Sequence, residues 1–208
     1  MVIKPDGTEG AKIPIVSGEV RLGRASSYSV LESDPFLSPH HASLISNDNG
    51  HVLQDAGSLN GVFIRITTEV ELQDADFIRI GQELLQFRFM SEAPLVAAPA
   101  SDEKTLTAGS PDANYWGRLS LISGPETETR GFVFSQDEVF LGREIGDILF
   151  RDDGFVSGRH ARIARVDGRI YLKDLGSSNG TYVRIRGERH VGSGDLILMG
   201  QQLFRVEV

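Results

Sequence analysis

The chain is 208 residues long, carries a net charge of −8 and has no cysteine, which removes disulfides, thiol nucleophiles and cysteine metal sites and argues against a zinc enzyme. Residues 1–90 hold 7 Lys and Arg against 12 Asp and Glu, and residues 115–208 hold 13 against 13, so neither half has the basic stripe that nucleic acid or an anionic membrane calls for. The start "MVIKPDGTEG" has no apolar signal core, and no apolar run reaches about 18 residues; the expectation is a soluble, cytoplasmic protein without metal or cofactor.

In chain order through the second half, the segments "GRLSLI", "GFVFS", "EVFLG", "HARIARV", "RIYLKDL", "TYVRI", "DLILMG" and "QLFRVEV" are short and rich in β-branched and aromatic residues. They are separated by "GPETE", "RDDG", "VDG", "GSSNG" and "RGERHVGSG", all of them turn chemistry. No segment offers a helical face of three turns. Many short strands at close spacing predict an all-β fold of the sandwich type.

The same order of segments occurs in the first half, because the chain repeats itself at an offset of 119 without a gap. Val20-x-Leu22-Gly23-Arg24 falls on Val139-x-Leu141-Gly142-Arg143, and Ser38 with His41-Ala42 falls on Ser157 with His160-Ala161. Asp55-x-Gly57-Ser58-x-Asn60-Gly61 falls on Asp174-x-Gly176-Ser177-x-Asn179-Gly180, and the register runs on through Asp76/Asp195 and Gly81-Gln82/Gly200-Gln201. The expected division is a first domain at 1–90, a Pro-, Ala- and Ser-rich flexible linker at 91–114, and a second domain at 115–208.

In the second repeat Gly142-Arg143 ends a strand, Ser157-Gly158-Arg159-His160 opens another, and Ser177-Ser178-Asn179-Gly180 is a tight turn. Loops gather at the ends of a sandwich, so three of them can bring two guanidiniums, hydroxyls and a carboxamide to one patch. Arg supplies a fork of donors for phosphate oxygens, Ser a hydroxyl, and Asn a donor and an acceptor suited to a peptide backbone. The set fits a phosphate monoester on a peptide.

With these residues in place, "LGRE…VSGRHARI…DLGSSNGTYV" resembles the forkhead-associated (FHA) domain, a phosphothreonine-peptide binding module, and the first repeat resembles it too. The resemblance covers nearly the whole chain except the linker. It implies two sandwiches of about eleven strands each, whose apical loops hold a phosphopeptide, with no catalysis and no metal. By position it implies that Arg143 and Ser157 contact phosphate, that Arg159 flanks it, that Ser178 adds a hydroxyl, and that Asn179 bonds the ligand backbone. His160 ties the loops together, with Gly142 and Gly180 as loop glycines. The matching set in the first repeat is Arg24, Ser38, His40 and Asn60, with His41, Gly23 and Gly61 structural.

The first repeat departs where Arg159 becomes His40, Ser178 becomes Leu59 and "GDILF" becomes "SYSVL", which puts Tyr28 in place of Asp147. A mostly neutral His40 in an acidic repeat makes a weaker anion site, so the second repeat is expected to bind more tightly. A triad of Ser157, His160 and Asp174 is disfavoured, because Ser and His lie three apart at one strand start without a nucleophile elbow. The expected partners are phosphothreonine proteins and the Ser/Thr kinase that marks them. Two other readings stay open: a phosphate-independent assembly module, and self-regulation through a phosphorylated Thr105 or Thr107 in the linker.

Overall fold

Alternation of apolar and polar residues decides which faces are buried. In "ARIARV" Ala161, Ile163 and Ala164 are buried, and in "RIYLKD" Ile170 and Leu172 are. Between them Asp167 and Gly168 both take positive φ, the two-residue turn whose twist suits a hairpin. The fold of this chain is a computed structural model that describes residues 1–4, 6–16, 18–90, 114–124 and 127–208.

The chain runs through β1 (Val2–Ile3), β2 (Gly18–Leu22), one helical turn α1 (Ser29–Glu32), β3 (Ala42–Asn47), β4 (Gly50–Asp55) and β5 (Val62–Arg65). It continues through β6 (Val70–Leu72), β7 (Phe77–Ile80), β8 (Glu83–Phe89), β9 (Gly117–Gly124), β10 (Thr127–Phe134), β11 (Glu138–Gly142), β12 (Ile148–Leu149), β13 (Ala161–Val166) and β14 (Arg169–Asp174). The last stretch is β15 (Thr181–Arg184), β16 (Glu188–Val191), β17 (Leu196–Met199) and β18 (Gln202–Arg205). The architecture is all-β, and no helix among the described residues is long and apolar enough to cross a membrane.

Two compact units form, and they are not the two repeats. The first unit combines Met1–Ile66 with Tyr182–Val208; the second is Thr67–Thr181. In the first, β1-β18-β17-β5-β15 makes one sheet and β16-β4-β3-β2 the other. Its core joins Val20, Leu22, Leu44 and Leu53 from one sheet to Val62, Ile64, Ile197, Met199 and Phe204 from the other. In the second unit the sheets are β7-β8-β9-β10 and β12-β11-β13-β14-β6. Phe87, Leu119 and Phe134 on the one, and Leu141, Ile163 and Leu172 on the other, are fully or almost fully buried.

At the repeat offset, β6, β7 and β8 correspond to β16, β17 and β18, and the two sets have changed places. β16 lies on β4 of the first repeat, with Arg189 opposite Leu53; β6 lies on β14 of the second, with Leu72 opposite Ile170. Two buried carboxylates follow the exchange. Asp34 accepts the Gln201 N–H at 2.8 Å and Asp153 accepts the Gln82 N–H at 2.6 Å, each reaching a turn supplied by the other repeat. Either partner satisfies the same pattern, since Leu72 and Val191, Ile78 and Ile197, Ile80 and Met199, and Leu85 and Phe204 are all buried equivalents.

The linker expected at 91–114 lies outside the described residues except for Asn114, but its flanks are described. Phe89 stands opposite Gly117 in the β8–β9 ladder, and the Met90 N–H donates to the Trp116 carbonyl at 3.0 Å. Both flanks, Phe89 and Gly117, therefore pair within one sheet of the second unit, while the chain crosses between units at 66–67 and 181–182. The division at 1–90, 91–114 and 115–208 describes the sequence repeats and not the compact units. Thr105 and Thr107 lie outside the described residues.

Candidate functional site

In the second unit the three loops anticipated from sequence meet at one end of the sandwich. The Arg143 N–H donates to the Ser157 carbonyl at 2.9 Å, and the Glu144 and Ile145 N–H groups both donate to Gly158. Gly142 permits this approach, because a Cβ there would collide with the carbonyl oxygens of Gly158 and Ile145. Next to it, the Ser178 N–H donates to Ser157 Oγ at 3.0 Å and Asn179 Nδ2 donates to the Phe155 carbonyl at 2.8 Å. Arg143, Ser157, Ser178 and Asn179 are thus brought together by direct hydrogen bonds between their loops.

His160 is the post on which the loops hang. It is fully buried; its Nδ1 accepts the Ser157 N–H at 3.0 Å, and its Nε2 lies 3.2 Å from the Gly180 carbonyl. An acceptor Nδ1 and a carbonyl facing Nε2 require the neutral tautomer protonated at Nε2. Gly180 holds φ +85°, the left-handed conformation that the Asn-Gly turn demands. Asp174 fixes the turn from below. It accepts the Gly176 and Ser177 N–H groups, each at 3.0 Å, and the Ser177 and Thr181 hydroxyls at 2.6 and 2.7 Å. Burial alone would raise its carboxyl pKa, but the Ser177 and Thr181 hydroxyls and the two amides outweigh burial and hold it below the ordinary value.

The first unit repeats the frame. The Arg24 N–H donates to the Ser38 carbonyl, the Leu59 N–H to Ser38 Oγ at 3.2 Å, and Asn60 Nδ2 to the Phe36 carbonyl at 2.8 Å. His41, also fully buried, accepts the Ser38 N–H on Nδ1 and places Nε2 3.0 Å from the Gly61 carbonyl. Gly23 allows the close approach, for a Cβ would strike the carbonyls of Pro39 and Ser38; Gly61 keeps φ +80°.

Two predicted flanking residues are engaged elsewhere. The Arg159 guanidinium stacks on the Phe140 ring, 4.3 Å from its centroid. His40 meets the Ser43 hydroxyl through Nε2 at 3.0 Å, and Ser43 in turn donates to Glu19 at 2.6 Å. The guanidiniums are held differently as well: Arg143 pairs with Glu144 at 2.9 Å, whereas Arg24 Nε donates to the Leu37 carbonyl at 2.7 Å. Ala25 stands where Glu144 does, so only the second repeat carries that carboxylate.

Sequence reasoning missed the carboxylates that shape these loops. Asp34 and Asp153, each buried, accept the Phe36 and Phe155 N–H groups at 2.9 and 2.8 Å and so fix the residues whose carbonyls receive the two asparagines. Their signal was available, since Asp34 and Asp153 are in register at the repeat offset. Asp55, equivalent to Asp174, accepts the Ser58 N–H at 2.8 Å. Arg184, which faces Asp55, is in register with Arg65 at the same offset, but register alone does not show that it reaches a loop of the other repeat.

Two β-sandwich units, each presenting an Arg, a Ser and an Asn from three apical loops pinned by a buried His, define the FHA class of domain. A sequence profile described as the FHA domain matches the chain at residues 20–81 and again at 139–200, more than half its length, and the chain belongs to that family as a tandem FHA protein. Both matches follow the sequence repeats and so cross the boundaries between compact units.

The chain is similar to the oxoglutarate dehydrogenase inhibitor of Corynebacterium diphtheriae, 37% identical over 87 residues, which are 41% of this chain and 60% of that protein. The inhibitor of Corynebacterium glutamicum is 34% identical over 113 residues, 53% of this chain and 74% of the relative. The FHA domain-containing protein FhaB of Mycobacterium tuberculosis is 28% identical over 91 residues, 42% and 59%. Among solved structures, Mycobacterium tuberculosis EmbR in complex with a low affinity phosphopeptide is 32% identical over 36% of this chain and 21% of that one, with a TM-score of 0.25.

Proposed function

We propose that this protein is a phosphothreonine-peptide binding adaptor in Ser/Thr kinase signalling, and that the second repeat is its stronger reader. The observation that carries the proposal is the convergence of Arg143, Ser157 and Asn179. Ser157 Oγ accepts the Ser178 N–H, which leaves its own O–H to donate to a phosphate oxygen. Asn179 donates through Nδ2 to Phe155, so its Oδ1 is the acceptor that a peptide N–H would meet. The Arg143 guanidinium, about a third exposed, supplies the charge-assisted donors, and its exposed pairing with Glu144 is weak enough for a doubly charged phosphate to displace.

The order of strength follows from the side chains that differ. Ser178 offers a hydroxyl where Leu59 offers none, and Arg159 brings a permanent guanidinium charge where the first repeat has the imidazole of His40. The curated relatives include inhibitors and an FHA domain-containing protein, which supports a non-catalytic binding role.

The test is a titration of the full chain with a phosphothreonine peptide pool and its unphosphorylated counterpart. Arg143→Ala is expected to cost about 2 to 3 kcal/mol, roughly 30- to 150-fold in Kd, and Arg24→Ala less. Binding that ignores the phosphate would replace the adaptor with a phosphate-independent assembly module.

A further inference from the structure

The two Asn-Gly loops share one sequence frame but are braced by different groups. In the second, Asp174 is met by the Thr181 hydroxyl at 2.7 Å as well as by Ser177. In the first, the position of Thr181 is Val62, which is fully buried and has no polar atom in its side chain. Asp55 is only 7% exposed, and a carboxylate so placed needs a partner. Besides the Ser58 N–H on Oδ1, its charged partner is Arg184, whose Nη2 lies 3.5 Å from Asp55 Oδ2 and 3.3 Å from the Ser58 carbonyl. The guanidinium crosses so close above Gly61 that any Cβ there would collide with it.

Arg184 arrives from the other repeat. Within the first unit β15 runs antiparallel to β5 with Arg184 opposite Phe63, and the Ile185 N–H donates to the Val62 carbonyl at 2.9 Å. That ladder pairs each strand with its own repeat equivalent, Ile64 facing Val183. In sequence Arg184 follows the loop of the second repeat, Asn179-Gly180, by four residues. A first repeat closed on itself would not have it.

We infer that Arg184 is a positioning residue for the first site: the second repeat contributes the guanidinium that holds loop 55–61, and with it Asn60 and the Leu59 amide, in ligand-reading shape. The role rests on the proposed reading of that site, but the bracing itself does not. Asp55, Ser58, Gly61 and Arg184 form one cluster in which the charge from the second repeat does the work that a hydroxyl does in the other loop.

Amide hydrogen exchange on the full-length protein tests it without ligand. Arg184→Ala is expected to speed exchange at Ser58 and Gly61 about tenfold, as loss of a charge-assisted bond implies, and to leave Ser177 and Gly180 unchanged. Arg184→Gln, which keeps a polar side chain without the charge, should act in the same direction. Adding Val62→Thr to Arg184→Ala places a hydroxyl where Thr181 has one and should restore protection. Unchanged exchange at Ser58 and Gly61, equal acceleration in both loops, or no recovery with Val62→Thr overturns the assignment.

A second arm titrates a phosphothreonine peptide against Arg143→Ala protein, so that the first site is read alone. Arg184→Ala should weaken that binding about tenfold, with recovery by Val62→Thr. If Arg143→Ala protein binds no phosphopeptide, the first site's phosphate-reading role fails, while the exchange data still decide whether Arg184 braces the loop.

Discussion

A buried histidine that holds loops together sets the acid limit of the first site. For His41 burial is the dominant influence and pushes its imidazole below the ordinary histidine range; Arg184 adds to the push, while the Gly61 carbonyl and the carboxylates of Asp55 and Asp34 oppose it. The unfolded chain therefore takes up a proton near about pH 6.5 that the folded protein still refuses. With more protons on the unfolded state, stability is full above that pH and falls as the pH drops through it. Urea midpoints are expected to hold from pH 8 to 7 and to decrease between pH 6.5 and 5; a midpoint that rises on acidification would contradict the assignment. Asp174, held below its ordinary value, adds a loss in the same direction only at lower pH. The convergence of the loops that carry Arg143, Ser157, Asn179 and His160 was legible in sequence, because Arg, Ser, His and Asn recur at one offset in loop positions. Arg159 and His40 were not, because stacking on Phe140 and bonding to Ser43 depend on neighbours that adjacent numbering does not reveal.

At the scale of strands, hairpins were easy to place and partners were not. Alternation and the Asp167-Gly168 turn specify β13 and β14 locally, whereas β6 and β16 present the same inward pattern to either acceptor. A register test separates the two possibilities. In the structure Val52 faces His190, and Glu71 faces Tyr171; a self-closed first repeat would instead bring Glu71 opposite Val52. The chain lacks cysteine, so Val52→Cys with His190→Cys is a clean pair for a short bismaleimide. It should give an intramolecular crosslink seen by mass spectrometry, and Val52→Cys with Glu71→Cys should not; the reverse result would return β6 to its own repeat. Composition shows that 91–114 lacks a core pattern, but it does not show that the flanking strands β8 and β9 pair with each other, Phe89 opposite Gly117.

For the whole molecule, the consequence of exchange is an unequal standing of the two units. The second is one continuous stretch, Thr67–Thr181, in which the closing strands of a domain precede its opening ones; the first is split, with the other inserted between β5 and β15. Arg143, Ser157, His160 and Asn179 all fall inside the continuous stretch. A fragment of residues 67–181, which respects neither repeat, is expected to give a dispersed amide spectrum and to retain the second site; a collapsed, undispersed spectrum would show that the unit needs the rest of the chain. Repeat analysis could not anticipate this, because duplication records ancestry and leaves open which copy of a strand completes which core. The split also orders events during synthesis. By the time residue 181 has left the ribosome the second unit has all its strands, while Val2, which will lie against Phe204, still waits for a partner not yet made. Nascent chains would thus hold the first half of one sandwich open until residues 182–208 have emerged, a window in which chaperones or a neighbouring nascent chain can reach the uncovered edges of β4 and β5.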